Sequence, residues 1–314
     1  MDCLRYGATL YVPATRADLP EVAGGLKYPA LRTVVICTED SVAEGDLPLA
    51  LANLRKTLPA LGGPGPLRFV RPRNPAVLRE IMSMPQVSRL DGLVLPKADS
   101  RSMPAFLGAL GGRRDLELMP ILETALAFDQ PALLRFRDYL LGLAGDFRVA
   151  ALRVGALDLL ALLGLRRSLS STIHESAIGP TISLLLTVFR PAGLELCATG
   201  FEGLDHPDLL ARELGQDLDR GLFAKTAVHP GQIEPIHRAY RPSPDDFALA
   251  LALTDPKCPA VFRHGDRMCE KAVHSAWARG VLRRAEIFGL GQAAAPIFAH
   301  GGDPLARPKS PILS

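Results

Sequence analysis

The chain has 314 residues, enough for two ordinary domains or for one (β/α)8 barrel with an appended segment. Hydrophobic residues make up 48% and charged residues 22%, a balance that excludes global disorder and supplies a sizeable core. Lys and Arg number 36 against 33 Asp and Glu, and the resulting +3 is spread along the chain. The basic blocks of a nucleic-acid surface are missing, so nucleic acid is not an expected partner.

The longest apolar stretches, at 156–165 and 182–189, are too short to span a bilayer, and Asp158 interrupts the first. The N-terminus lacks the basic stretch, apolar run and small-residue cleavage site of a secretory signal. No membrane partner and a cytoplasmic location are therefore expected. The 5 cysteines, Cys3, Cys37, Cys197, Cys258 and Cys269, contain no C-x-x-C pair and read as reduced thiols.

Eight β-favouring apolar runs follow in order, starting at Thr9, Arg32, Leu67, Asp91, Leu116, Val149, Leu194 and Leu222. Each interval has room for a crossover helix, the pattern of βα units and a parallel sheet. Leu49, Leu51, Leu54 and Leu58 are assigned to one helix face, as are Leu133, Leu134, Phe136, Leu140 and Leu141. Leu209, Leu210 and Leu214 follow Pro207, a helix-start proline. The count favours a closed (β/α)8 TIM barrel over 1–243 against a doubly wound open sheet. The segment from Arg241 to Phe247 reads as a linker to a C-terminal helical extension over 244–290. In that extension a helix is expected from Arg267 to Phe288, with Met268, Val273, Trp277, Val281 and Ile287 among its apolar positions. A loosely ordered tail is expected over 291–314.

Barrel chemistry gathers at the C-terminal ends of the strands. There the runs present Glu39 and Asp40, Arg71 and Arg73, Lys97, Glu123, Asp158, then Lys225 and His229. Glu123 taken alone reads as a first-turn helix carboxylate, and Asp158 as an N-cap. Together they are two hard oxygen donors from adjacent strands, a set that suits Mg²⁺ with its retained waters. Arg71 offers a planar fork for a carboxylate or enolate oxygen, or for a rim salt bridge to Glu39 or Asp40 that would orient it. Lys97 reads as an ion-pair partner or a Schiff-base nucleophile, and His229, before Pro230, as a capping residue. The glycines at 62, 63 and 65 precede a strand, which is not the strand-to-helix context of a phosphate loop.

With those residues in place, the chain resembles the citrate lyase β-subunit-like branch of the HpcH/HpaI aldolase superfamily, from about Thr9 to Ser243 and again near Gly265. The resemblance rests on LYVP from Leu10, Thr38-Glu39-Asp40-Ser41-Val42, VRPRNP from Val70 and Leu95-Pro96-Lys97. It continues with Leu122-Glu123-Thr124-Ala125, Gly155-Ala156-Leu157-Asp158, AKTAVHPGQI from Ala224 and Pro242-Ser243. It implies a (β/α)8 barrel, Mg²⁺ on Glu123 and Asp158, and Arg71 facing substrate oxygens. It further implies cleavage or formation of a carbon-carbon bond next to a carbonyl, in a 2-oxo-acid-derived or acyl-CoA substrate.

In the CoA lyases of that branch a carboxylate from a neighbouring subunit's C-terminal segment serves acid/base chemistry, and Glu270 is the aligned residue here. A homo-oligomer, a trimer or hexamer, follows from the same resemblance. The expected site therefore has Arg71, Asp40 and Glu270 as catalytic residues, Arg71, Glu39 and Lys97 as substrate-binding residues, and Glu123 and Asp158 as metal ligands. Departures mark a divergent branch. Cys37 stands where an aspartate is common, Ala224 where glycine is usual, and the stretch 168–180 matches no CoA-dependent member. The competing functional readings are a Schiff-base aldolase through Lys97 or Lys225, and a barrel that binds metal and ligand as a sensor or assembly partner without turnover.

Overall fold

The structure, a computed structural model, describes residues 3–292 and divides into two compact units between Tyr240 and Arg241. All but the first two positions of the expected tail lie outside the described residues.

The first unit is built on parallel strands β1 (Thr9–Pro13), β2 (Thr33–Cys37), β3 (Leu67–Arg71), β4 (Gly92–Leu95), β5 (Glu117–Leu122), β6 (Arg148–Val149), β7 (Arg153–Val154) and β8 (Thr226–Ala227). They pair in the order β6-β5-β4-β3-β2-β1-β8, with β7 also on β5. β6 and β7 are two short pieces at one barrel position, since Leu118 pairs with Val149 and Leu122 with Val154. Parallel bridges Leu152–Leu196 and Cys197–Phe223 carry the ladder through the seventh run, and β8 returns to β1 at Thr9–Thr226. The circuit closes. This is the TIM barrel, and the open-sheet alternative is excluded by those bridges.

Runs such as TVVIC and ELMPIL form strands because β-branched and long apolar side chains pack on a pleated surface buried on both sides. Alternation then fixes the barrel interior. Val35, Phe69, Met119, Ile121 and Ala151 belong to one buried cluster. Two residues on from Val35, Phe69, Ile121 and Ala151 stand Cys37, Arg71, Glu123 and Arg153, which continue the same face toward the C-terminal rim. At the opposite end the carboxylate of Glu117, which opens β5, accepts from Tyr6 Oη at 2.8 Å and pairs with Arg5 and Arg148.

The crossover helices form with small corrections to the expected faces. In the helix Leu47–Ala60, Leu51, Leu54 and Leu58 are buried, but Leu49 is 51% exposed because it sits about 200° round the helix from Leu51. In Gln130–Gly142 the buried positions are Leu133, Phe136 and Leu140, while Leu141 faces out. Pro207 opens its helix, which buries Leu210 and Leu214. The Asn-Pro of VRPRNP is a helix start as well: the Asn74 side chain accepts from Val77 N at 2.9 Å, and Pro75 takes the first helical position.

In the second unit the expected linker is the start of a helix, Pro244–Thr254, capped by Ser243, which accepts from Asp246 N at 3.0 Å. The helix expected from Arg267 begins at Lys271 and runs to Phe288. Arg267–Glu270 is instead strand β10 of a hairpin with β9 (Val261–His264), turned at Gly265, whose φ of 59° suits the residue without a Cβ. Leu249, Ala250, Leu253, Cys269, Ala278 and Val281 form this unit's core. Met268, Val273 and Trp277 are exposed. Among the described residues no helix is long and apolar enough to cross a membrane.

Candidate active site

The barrel's C-terminal ends surround a cavity of about 450 Å³ lined by Asp40, Arg71, Glu123 and Asp158 together with Tyr11 and Arg153. Four of the residues expected from sequence thus share one cavity. Glu39 and Lys97 join them through direct contacts.

Arg71 ends β3 and is held from two sides. Its Nε and Nη2 donate to Cys37 Sγ at 3.2 and 3.1 Å, and Nη1 lies 3.2 Å from Glu39 Oε2 and 3.4 Å from Asp40 Oδ2. Burial works against the guanidinium's charge, but Cys37, Tyr11 and Glu39 outweigh it and raise its pKa further. The rim salt bridge therefore exists. Lys97 Nζ pairs with Glu39 Oε1 and lies 3.6 Å from Asp40 Oδ1. The two carboxyls separate electrostatically. Burial pushes Asp40 up, helped by its hydrogen bond with Glu39. Burial also opposes ionisation of Glu39, yet hydrogen bonds from Asp40 and Lys97 and the charge of Arg71 bring it below the ordinary range. Glu39 is the fixed anion, and Asp40 the one that holds a proton more readily.

Glu123 follows β5 directly and is buried, with 4% exposure. Its Oε1 accepts from Lys97 N at 2.7 Å. Burial, then the negative charge of Asp158, raises its pKa to about 7. Asp158 lies in the first turn of the helix Ala156–Leu162, whose N-cap is Gly155, so the capping role expected for Asp158 falls to the glycine. Glu123 precedes the 3-10 turn Ala125–Phe128, so it is not the first-turn carboxylate that it resembles in isolation. Gly155 is the cradle of the pair: a Cβ there would meet Glu123 Cβ and Oε2 at 2.4 Å.

The lysines are not presented as neutral amines. Lys97 is raised: burial disfavours its charge, but Glu39 and Asp40 more than restore it. Lys225 is fully buried between Glu213 Oε1 at 2.8 Å and Asp217 Oδ2 at 2.7 Å, and these acids outweigh its desolvation. It points away from the expected rim position, into the helix Pro207–Asp219, and does not line the cavity. The imine chemistry expected as an alternative has no uncharged amine to start from.

His229 caps its own turn, Nδ1 accepting from Gly231 N at 3.1 Å. Gln232 of the same HPGQI run accepts from Val228 N at 2.9 Å and donates to Phe201 O at 2.7 Å, tying the eighth run to the seventh. Arg73 braces the rim through the carbonyls of Glu39 and Val42. Glu270 belongs to the second unit, where it ends β10; its backbone, not its carboxylate, meets His274 Nδ1.

Among the lining residues not singled out from sequence are three with polar side chains, Tyr11, Arg153 and Thr226. The signal for Arg153 was present, since a cation within the apolar run VAALRVGALD must answer to something.

A closed barrel whose C-terminal mouth gathers carboxylates and guanidiniums around one small cavity belongs to the class of TIM-barrel enzymes. The chain belongs to the family described as C-C_Bond_Lyase of the TIM-Barrel fold, which matches residues 2–290, and with that family it is a carbon-carbon lyase.

Solved structures with the same fold include CitE from Mycobacterium tuberculosis in complex with magnesium, acetoacetate and coenzyme A. It is 24% identical, with 91% of this chain and 100% of that one covered at a TM-score of 0.67. RipC from Yersinia pestis is 22% identical, covering 77% of this chain and 98% of that one at 0.59. The citrate lyase beta subunit from M. tuberculosis complexed with oxaloacetate and magnesium is 22% identical, covering 77% and 100% at 0.56. A search of curated proteins gave no match.

Proposed function

We propose that the protein is a Mg²⁺-dependent carbon-carbon lyase that forms or breaks the bond next to the carbonyl of a 2-oxo-acid-derived or acyl-CoA substrate. The observation that carries this reading is the pairing of Glu123 with Asp158: a buried carboxyl raised to about 7 partly by a second carboxylate in the same cavity. Neither forms a salt bridge among the described residues. Two carboxylates that converge without a salt bridge of their own, and whose mutual repulsion the charges of Lys97 and Arg71 only partly offset, are a site for a cation, and all-oxygen donors with room for waters fit Mg²⁺. Solved structures of CitE and of the citrate lyase beta subunit hold magnesium with small oxo acids, which supports the assignment.

When bound, the ion would supply Lewis-acid stabilisation of developing oxyanion charge. The chain's own residues do the rest. Arg71, fixed by Cys37 and Glu39, presents a permanently charged fork to a carboxylate or enolate oxygen, and needs no reorganisation as charge develops. Glu39 keeps Arg71 and Lys97 in place. Asp40, the more readily protonated of the pair and half exposed to the cavity, is placed to hold the proton that must reach an enolate carbon or leave a hydroxyl. Glu270, presented by a neighbouring copy in a homo-oligomer, would be the alternative carrier of that proton. A CoA thioester is one form of the substrate.

The test is to titrate Mg²⁺ calorimetrically into the wild type, Glu123→Ala and Asp158→Ala, and to assay each against a panel of 2-hydroxy acids and their acyl-CoA thioesters. Loss of Mg²⁺ binding and of turnover in both folded variants is expected; retained turnover in both would remove the reading.

A further inference from the structure

Arg153 is a cation at this cavity that no acid balances among the described residues. It opens β7, is 2% exposed, and lines the cavity beside Glu123 and Asp158. Its hydrogen bonds go to neutral groups: Nη2 to Thr226 Oγ1 at 2.6 Å and Ala224 O at 3.2 Å, and Nη1 to Met119 Sδ at 3.8 Å. Among the described residues it makes no ion pair, whereas buried Arg167 has Glu213 and Arg71 has Glu39. A guanidinium has five N–H groups, so two of them, Nε–H and one Nη1–H, have no acceptor among the described residues. Tyr11 does not neutralise it. That ring lies 5.3 Å from Arg71 Cζ and 5.4 Å from Arg153 Cζ, and offers each guanidinium a π system but no counter-charge.

A buried charge without a counterion is costly, and proteins retain one where a ligand supplies the opposite charge. We propose that Arg153, with the Thr226 hydroxyl, is the receptor for a second carboxylate of the substrate, so that the cavity selects dicarboxylates over monocarboxylates. This deepens the lyase reading and rests on it for the identity of the ligand: Arg71 and the acidic pair face the reacting end, and Arg153 takes the far carboxylate. Arg153 acts by binding, and no bond is made or broken at it.

Calorimetry with three probes tests this: succinate without magnesium, then oxaloacetate and pyruvate with it. In Arg153→Met, binding of succinate and of oxaloacetate is expected to fall about thirtyfold, the loss of a charge-assisted hydrogen-bonded contact, while pyruvate stays within about threefold of the wild type on the same scale. Arg153→Lys, which keeps the charge, recovers part of the succinate affinity. The melting temperature of Arg153→Met is expected to hold or rise, because an unbalanced buried charge has gone; an arginine that merely propped Thr226 would give a lower one and weaken all three ligands alike. Arg153→Gln carries the same comparison should the methionine variant not fold. Succinate that fails to bind the wild type, or binds both proteins equally, overturns the proposal. The Glu123→Ala/Asp158→Ala protein separates the two readings: it loses magnesium-dependent pyruvate binding if the metal assignment holds, while adding Arg153→Met to it still lowers magnesium-free succinate binding if the Arg153 assignment holds. Pyruvate that never binds the wild type defeats the metal assignment while the succinate measurement still decides on Arg153.

Discussion

Lys97 adopts the left-handed backbone conformation, φ 49°, and from it the Lys97 N–H donates to Glu123 Oε1 at 2.7 Å. A non-glycine residue in that region is strained. Here the strain turns an amide at the end of one strand toward the carboxylate of the next, and leaves the Lys97 side chain to pair with Glu39. A lysine noticed in the sequence for its ammonium thus acts on Glu123 through its backbone.

Glu123 makes the metal-free protein sensitive to pH. Its folded pKa, about 7, lies above the unfolded value, so the native state binds the proton more tightly. The stability this confers is complete below about pH 4.5 and is lost as the pH rises through about 7. Glu123→Gln removes that slope and, in chelator at pH 8, is expected to exceed the wild type by up to about 3 kcal/mol. Urea denaturation at pH 5 and pH 8 measures both arms, and an equal pH slope in the two proteins would contradict the assignment.

Gly155→Ala places a methyl group against Glu123 Cβ and Oε2. Overpacking of this kind costs about 1–3 kcal/mol, relieved only by moving the carboxylate. Magnesium affinity is expected to drop about tenfold or more, read by calorimetric titration. Unchanged affinity would show that the carboxylate tolerates the shift.

Cys37 offers its sulfur to two N–H groups of Arg71 and to Glu39 N at 3.3 Å. Cys37→Ala leaves those donors unmet and is expected to cost about 1–3 kcal/mol in chemical denaturation. Cys37→Ser, which retains an acceptor, loses less. Equal losses in the two variants would assign the effect to packing alone.

Lys225 neutralises Glu213 and Asp217 inside the wall of the barrel. Lys225→Met takes the ammonium from two buried carboxylates, leaving Glu213 with Arg167 and Asp217 with His174, and is expected to cost about 3 kcal/mol. Adding Asp217→Asn recovers part of it, as thermal denaturation of the double variant would show. Borohydride reduction with pyruvate is expected to leave no mass adduct on either Lys225 or Lys97, and an adduct on either would restore the imine reading.

Local pattern sufficed for much of this. The eight runs lie at the eight barrel positions because strand propensity and burial are properties of short segments. Their last residues name Arg71, Glu123 and Asp158 because the ends of parallel strands share one rim. Folding over a distance settled what local pattern leaves open. Arg267–Glu270 reads as a helix start by spacing and becomes a strand by pairing with Val261–His264.

Alternation along the eighth run does not say which way Lys225 points. Ala224, with φ 51°, breaks the period of two and is followed by a lysine turned into the helix Pro207–Asp219. The sequence marks Arg153 only as a cation within an apolar run; its neighbours Thr226, Ala224 and Met119, 73, 71 and 34 residues away in the chain, are set by the tertiary fold. Periodicity is written in neighbouring residues and is legible from them. The partner of a buried charge is a property of the three-dimensional neighbourhood, where dielectric and distance decide what that charge requires.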